Sequence, residues 1–266
     1  MPRHPPAPRK RVLGRGDPRM KIGVALPARN VLPYIETCLN SINAQTWPCA
    51  AYIVDDASND GTTEFLTARP TWWRRHIVHD QQHGWPWSLN EAATAAINDG
   101  CDAVMVMNAD DWLTSDAIEQ LVRALQNADA AVPYCQQVGG DNVIQTSAPH
   151  ITAGDFTDHT PIVAHALIRA GTWQQLGGYH QDVDLPGLGA GYNEWDWWIR
   201  FHKAGLLHAV ATRPLVYYRM HDDQLHRETT ARHEEAVALL RAKHPGLPWV
   251  ETGLQAPQYC TTRRTP

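Results

Sequence analysis

The chain has 266 residues, of which 43% are hydrophobic and 19% charged, and a formal net charge of −5. That length suffices for one large α/β domain with a sizeable core, and the acidic balance argues against an extensive nucleic-acid footprint. The five cysteines (Cys38, Cys49, Cys101, Cys135, Cys260) are odd in number and include no C-x-x-C pair, a pattern that points to free thiols in a reducing compartment.

Residues 1–19 are rich in Pro, Arg and Gly, lack a hydrophobic period, and read as a disordered tail. From Lys21 the pattern changes. Ile22 to Leu26 form a short apolar run, the mark of a buried parallel strand. Leu32, Ile35, Leu39 and Ile42 recur at helical spacing, which predicts a helix over 31–43. Tyr52 to Val54 predict a second strand ending in Asp55-Asp56. Ser58 to Gly61 form a turn, and Thr62 or Thr63 is expected to cap a short helix. A third strand is read at 76–78 and a helix over 87–98. A fourth strand over 103–107 runs into Asn108-Ala109-Asp110-Asp111 and a helix over about 115–127.

The second half is less regular. Strand-like runs occur at 131–132, 162–168 and 214–219, a loop at 176–179, and helices over 193–203 and 226–243. Gly187 to Gly191 read as a flexible loop, and the residues after the last helix as a Pro-containing tail. The expected division is 1–19 as tail, 20–225 as the domain (20–113 binding nucleotide, 114–225 acceptor and catalysis), and 226–266 as a C-terminal helix and tail. The β-α alternation predicts an α/β fold with a mostly parallel central sheet flanked by helices. Ligands bind at the carboxyl ends of such strands, where both acidic pairs fall, so one shared cleft is expected.

The sequence excludes several nucleotide-binding chemistries. After the first strand it has Pro27-Ala28-Arg29-Asn30 and not G-x-G-x-x-G, and neither a P-loop nor H-E-x-x-H is present. Something other than a glycine loop must then neutralise a phosphate-bearing donor. A carboxylate-held Mg²⁺ or Mn²⁺ does so, because both prefer hard oxygen ligands and keep positions open for phosphates. Asp110 and Asp111 are placed for that role, although adjacent aspartates also serve as helix caps.

The segment from Lys21 to Thr63 resembles the start of a family 2 glycosyltransferase of the GT-A fold. It carries P-x-x-N (Pro27, Asn30), S-x-x-x-Q-T (Ser41, Gln45, Thr46) and D-D-x-S-x-D-G-T (Asp55, Asp56, Ser58, Asp60, Gly61, Thr62) in register. The likeness continues at Asn90 and at the D-x-D position, Asn108-Ala109-Asp110. It returns at Gly177-Gly178-Tyr179, Asn193-Glu194-Trp195-Asp196 and Tyr218-Arg219-Met220-His221. The resemblance implies an inverting transferase that moves a sugar from a nucleotide diphosphate, most simply a UDP-sugar, to an acceptor hydroxyl. It implies donor binding by Pro27, Ala28, Asn30, Asp55, Asp56, Asn90, Asn108 and Asp110. It also implies metal ligation by Asp110 and His221, and a carboxylate base at Glu194, with Asp196 as the alternative. The sequence departs from the pattern at three points: Asn108 replaces an aspartate, Asn193-Glu194 an E-D pair, and Leu89 an arginine.

The plainer roles remain open at this stage: Asp55 as a turn-stabilising cap, and Glu194 and Asp196 as charges favoured at a helix N-terminus. Two other functions compete with transfer, an inactive sugar- or nucleotide-binding module and a sugar nucleotidyltransferase. The acceptor (glycan, lipid-linked sugar, protein or modified nucleic-acid base) and the oligomeric state are not legible. No apolar run reaches the ~18 residues of a membrane span and no apolar stretch follows the basic N-terminus, so a cytoplasmic protein, at most peripheral at the membrane, is expected.

Overall fold

In a computed structural model of the protein, the described residues are 20–157 and 159–249. The expected tails at 1–19 and beyond 249, and Cys260, lie outside them.

The first half follows the predicted alternation: β1 (Ile22–Ala28), α1 (Leu32–Asn43), β2 (Cys49–Asp55), α2 (Thr62–Thr67), β3 (Arg75–Val78), α3 (Trp85–Asn98) and β4 (Ala103–Val106). These four strands are parallel in the order β3-β2-β1-β4. Their apolar side chains alternate between two cores, as the strand period of two requires. Ala25, Tyr52, Val54, Val104 and Val106 meet Leu89, Ala92 and Ala96 of α3 on one face. Val24, Leu26, Ile53 and Met105 meet Ile35, Leu39 and Ile42 of α1 on the other.

The second half departs from a mostly parallel sheet. It adds β5 (Trp112–Leu113), α4 (Ala117–Ala124), β6 (Ala130–Val138), β7 (Ile144–Gln145), β8 (Ala166–Arg169), α5 (Ala170–Leu176), α6 (Asn193–Lys203) and β9 (His208–Arg219). The sheet continues β4-β8-β6-β9-β5. β8 is antiparallel to both β4 and β6, β6 is parallel to β9, and β5 and β7 pair antiparallel at its margins. β6, β7 and β8 follow one another without an intervening α-helix, and strands joined without a long crossover are not constrained to run parallel. α6 buries Trp195, Trp197, Trp198, Ile199 and Phe201 in the α3-side core.

Three smaller expectations are corrected. The predicted loop at Leu176 is the end of α5, closed by Gly177 at φ 72°. The N-cap of α2 is Gly61, not a threonine; Thr62 Oγ1 instead accepts a hydrogen bond from Val31 N. The final helix is two, α7 (Leu225–Ala231) and α8 (His233–Lys243), broken at Arg232, and Ala236, Val237 and Leu240 of α8 join the α3-side core.

Candidate active site

The carboxyl ends of β1, β2 and β4 open onto a cavity of about 860 Å³, within the size range of small-molecule sites. Pro27 and Ala28 at the end of β1, Asn30 after it, Asp56 after β2, and Asn108 and Asp110 after β4 all line it. The motif residues hold these loops together. Asp60 accepts hydrogen bonds from Leu32 N and Thr62 N (both 2.9 Å), capping α1 from a neighbouring turn. Asn30, at φ 52°, donates its backbone N–H to Ser58 Oγ (3.0 Å) and accepts from Asn59 N (2.9 Å). Gln45 bridges the end of α1 to Thr114 O (2.7 Å) and Ile118 N (3.0 Å). Ser41 Oγ accepts from Leu113 N (3.1 Å).

Asp55 and Asp56 have different surroundings. Asp55 is fully buried, does not line the cavity, and accepts from Ser58 N (3.0 Å) and Thr63 Oγ1 (2.5 Å), so it serves as a turn anchor. Asp56 lines the cavity, but its carboxylate also ties down the turn that enters α3, accepting from His83 N and Gly84 N at 2.8 Å each. His79 bridges Asp56 and Glu91, 2.8 Å from each. Gly84 has φ 102°, and a Cβ there would stand 2.3 Å from Gly189 O, so only glycine lets the 187–191 loop cross at this point.

The acidic pair after β4 divides its work too. Asp111 is fully buried and bound to His165 Nε2 (2.8 Å) and Arg219 N (2.8 Å). Burial alone would lower the His165 pKa, but Cys135 and the Asp111 carboxylate outweigh it and hold the imidazole at about 10. Asp110 faces the cavity and meets His221 Nε2 at 3.0 Å. Arg219 fixes this corner by donating Nε–H to Asp110 O (2.9 Å) and lying over the rings of Tyr34 and Trp112. Asn108 gives its side-chain oxygen to Trp85 Nε1–H (3.1 Å).

One carboxylate and one imidazole meeting at a cavity wall fit a Mg²⁺ or Mn²⁺ ion that keeps its other positions for water and phosphate. No group of three or more His, Cys, Asp or Glu suited to a metal occurs among the described residues. Asp110 and His221 are the described residues that would hold such an ion.

The two carboxylates of α6 differ most. Glu194 lines the cavity, and burial pushes its carboxyl up to about 7. Its side chain makes no hydrogen bond to another described residue. Asp196 does not line the cavity. It is fully buried and bound by Arg200 Nε (2.8 Å), His244 Nε2 (2.8 Å) and Lys243 Nζ (3.1 Å). Burial would raise its pKa, yet His244, Arg200 and Lys243 hold it well below the usual carboxylate range. Asn193 binds His180 O, Asp184 and Gly191 N, which fixes the loop before the helix.

Asn90 does not line the cavity either. Its amide donates to Tyr179 O (2.7 Å) and accepts from Tyr179 N (2.8 Å), tying α3 to the turn after α5. Gly178, at φ 69°, must be glycine because a Cβ would lie 2.4 Å from Asn90 Oδ1.

Residues 23–200 match the family described as glycosyl transferase family 2. The chain belongs to that family. This transferase is 29% identical over 116 residues to the glycosyltransferase GlyA of Streptococcus pneumoniae serotype 4, a stretch covering 42% of the chain. The chain spans only 16% of the length of that curated relative. Its fold resembles that of S. aureus TarS, solved in complex with UDP-GlcNAc, with a TM-score of 0.68 at 16% identity, covering 87% of this chain and 68% of that one. It also resembles the mannosyltransferase PcManGT from Pyrobaculum calidifontis, solved with GDP-Man and Mn²⁺, with a TM-score of 0.58 at 17% identity, covering 91% and 67%. The transferase thus has the GT-A fold.

Several site residues carried no motif signal. Trp85, His165 and Gln145 line the cavity; Trp85 falls in the resembling block 84–111 but was not singled out in it, and His165 and Gln145 lie outside the resembling blocks. No helix among the described residues is long and apolar enough to cross a membrane.

Proposed function

We propose that this transferase is an inverting, metal-assisted enzyme that moves a sugar from a UDP-sugar to an acceptor hydroxyl, with Glu194 as general base. One observation carries the reading. A carboxylate free of side-chain partners, with its pKa at about 7, lines the same cavity as the Asp110–His221 pair. A base works best with a pKa near the operating pH, and Glu194 has that property where Asp196 does not. Glu194 takes the acceptor's hydroxyl proton as the oxygen attacks the anomeric carbon. The nucleotide diphosphate leaves from the opposite face, and the configuration inverts.

Asp110 and His221 hold a divalent cation, which when bound supplies positive charge to the leaving diphosphate. Asp56 and the loop at Pro27 to Asn30 shape the nucleoside end. UDP is the proposed nucleotide because TarS was solved with UDP-GlcNAc and with UDP, and Mn²⁺ accompanies the donor in PcManGT. The described cysteines Cys38, Cys49, Cys101 and Cys135 are free thiols, which supports a reducing compartment such as the cytoplasm.

The test is a mass-spectrometric screen of UDP-, GDP- and dTDP-sugars for nucleotide release, with and without chelator. A UDP-sugar should be consumed, excess EDTA should abolish its consumption, and Mn²⁺ or Mg²⁺ should restore it. Asp110→Ala should lose donor binding together with turnover. Full activity in EDTA would overturn the metal assignment.

A further inference from the structure

A carboxylate offers about four acceptor sites. On Asp56 most of them are filled from the segment that joins β3 to α3. Oδ1 accepts from His83 N and meets His79 Nδ1, and Oδ2 accepts from Gly84 N, each at 2.8 Å. Asp56 lines the cavity, and these bonds decide how its carboxylate is turned there.

His79, which follows β3, is held on both sides. Its Nδ1 lies 2.8 Å from Asp56 Oδ1 and its Nε2 lies 2.8 Å from Glu91 Oε2 of α3. A neutral imidazole has one N–H and one bare nitrogen, whereas the imidazolium donates from both. A neutral ring here would turn a lone pair toward one of the two carboxylate oxygens, so the pair of contacts calls for a charged ring. Burial by itself would lower the His79 pKa; the hydrogen bonds and charges of Asp56 and Glu91 outweigh it and raise it above 6.5. The His79 and Asp56 side chains are 9% and 5% exposed and that of Glu91 is 38% exposed, so the sheltered end of the bridge is the end at the cavity.

We propose that His79 is a positioning residue for the nucleotide: as an imidazolium it clamps Asp56 to Glu91, orients and neutralises the Asp56 carboxylate, and makes nucleotide affinity fall when its proton is lost. The inference deepens the transferase reading and rests on the part of it that gives Asp56 to the nucleoside end. A nucleoside diphosphate is an anion, and the cavity already carries Asp56, Asp60 and Asp110. A positive charge behind Asp56 offsets one of them, with little water between the two groups to screen it. Other charged groups nearby are committed elsewhere or exposed. Asp55 accepts from His79 N through its backbone oxygen, while its carboxylate holds Ser58 N and Thr63 Oγ1. Asp80 is exposed, and Arg29 donates to Asp56 O. His83 is the other titratable ring at this corner; it meets His79 edge-on at 4.6 Å and stacks on Trp87.

The experiment is calorimetric titration of the full chain with UDP at fixed Mg²⁺, between about pH 6 and pH 9, which spans an imidazole of raised pKa. UDP and the metal corner titrate as well, so the quantity read is the Kd of each variant divided by that of the wild type at the same pH. His79→Gln keeps one N–H for Asp56 and cannot be charged. Its ratio should be about five- to tenfold at the acid end, the lower range of coupling between two sites, and fall to near one at the alkaline end. Glu91→Gln removes the carboxylate on the far side of the ring from Asp56, so the charged ring is less favoured and the fall in UDP affinity should move to lower pH. His83→Gln keeps its backbone N–H, and its ratio should not change with pH.

Imidazole NMR gives the reciprocal readout, which a merely structural role would not move. Saturating UDP should shift the His79 titration, assigned by its absence from His79→Gln, to higher pH, because coupling acts equally in both directions. A His79→Gln ratio that is constant with pH, a pH-dependent His83→Gln ratio, or a His79 titration unmoved by UDP overturns the inference and leaves the transferase reading standing. If His79→Gln fails to fold, Glu91→Gln decides: a wild-type pH profile of UDP affinity in that variant overturns the clamp. A wild type that binds no UDP at any pH defeats the UDP reading, and the inference with it.

Discussion

The two halves of this transferase use their polar residues in opposite ways. In the half built on β1 to β4, the motif residues are consumed internally. Asp55, Asp60, Gln45 and Asn90 satisfy backbone groups of neighbouring loops, and Asp56 ties down the turn entering α3 even while it lines the cavity. In the other half, the Glu194 carboxyl has no hydrogen bond beyond its own backbone, and Gln145 Nε2 and Trp195 Nε1 have no partner among the described residues. On the proposed reading, the first half is the scaffold that places a nucleotide and Glu194 in the second is kept for the acceptor. The dense motif residues of the first half then mark where loops are held together by internal hydrogen bonds.

The sharpest way to break this comparison is Glu194→Gln, which keeps the shape and removes the base. Turnover should fall by roughly 10²–10⁴-fold, the usual contribution of a positioned base, with donor affinity intact, as expected for an interaction made in the transition state. The pH dependence should follow. Only the ionised carboxylate accepts a proton, and burial lifts this one from 4.5 to about 7. kcat/KM in the wild type should thus rise with pH up to about 7 and level off above it. The protonated form is the one the fold favours. Its contribution to stability is present below 4.5 and is lost as pH rises through about 7; melting curves of the Gln variant should lack that fall.

The neighbouring acid should behave in the opposite sense. Asp196→Ala leaves Arg200, His244 and Lys243 facing a buried gap, and losing one partner of a buried ion cluster costs about 3–5 kcal/mol. Urea unfolding should register that loss. Because Lys243 ends α8 and His244 caps it, the contacts of α8 with α6 should loosen first in hydrogen exchange. An Asp196→Asn protein of wild-type stability but with no turnover would reverse the roles of the two carboxylates.

The sequence was most legible in the first half. The apolar runs at 22–26, 52–54 and 103–107 have the length and composition of buried parallel strands, and β1, β2 and β4 contain or nearly coincide with them. Asp56 and Asp110 were expected in one cleft, and both line it. The mixed order beyond β4 was not legible, because strand direction there depends on long-range pairing and not on local period. The break at Arg232 was also hidden, since no Gly or Pro marks it. The resemblance implies Asp55 and Asn90 among the nucleotide contacts, yet neither lines the cavity; motif position does not distinguish a group that touches a ligand from one that supports the loop touching it.

Asn90 gives the mildest and most discriminating test of the scaffold half. The resemblance placed it among donor contacts, whereas its amide is paired with the Tyr179 backbone as one strand residue pairs with another. Asn90→Ala would leave both Tyr179 groups seeking water in a part-buried position. The cost should be about 1–3 kcal/mol, the penalty for an unsatisfied buried group. Because the clamp joins α3 to the turn that precedes the Glu194 helix, acceptor KM should rise with it, while the Kd for UDP stays within about twofold, well under the tenfold that 1.4 kcal/mol represents. A donor-contact role makes the contrary demand: UDP affinity falls and the melting temperature holds. Calorimetric titration with UDP, run beside thermal unfolding of the same preparation, separates the two. Loss of UDP affinity at unchanged stability would return Asn90 to the nucleotide and show that the scaffold half also contributes ligand contacts that its hydrogen bonds conceal.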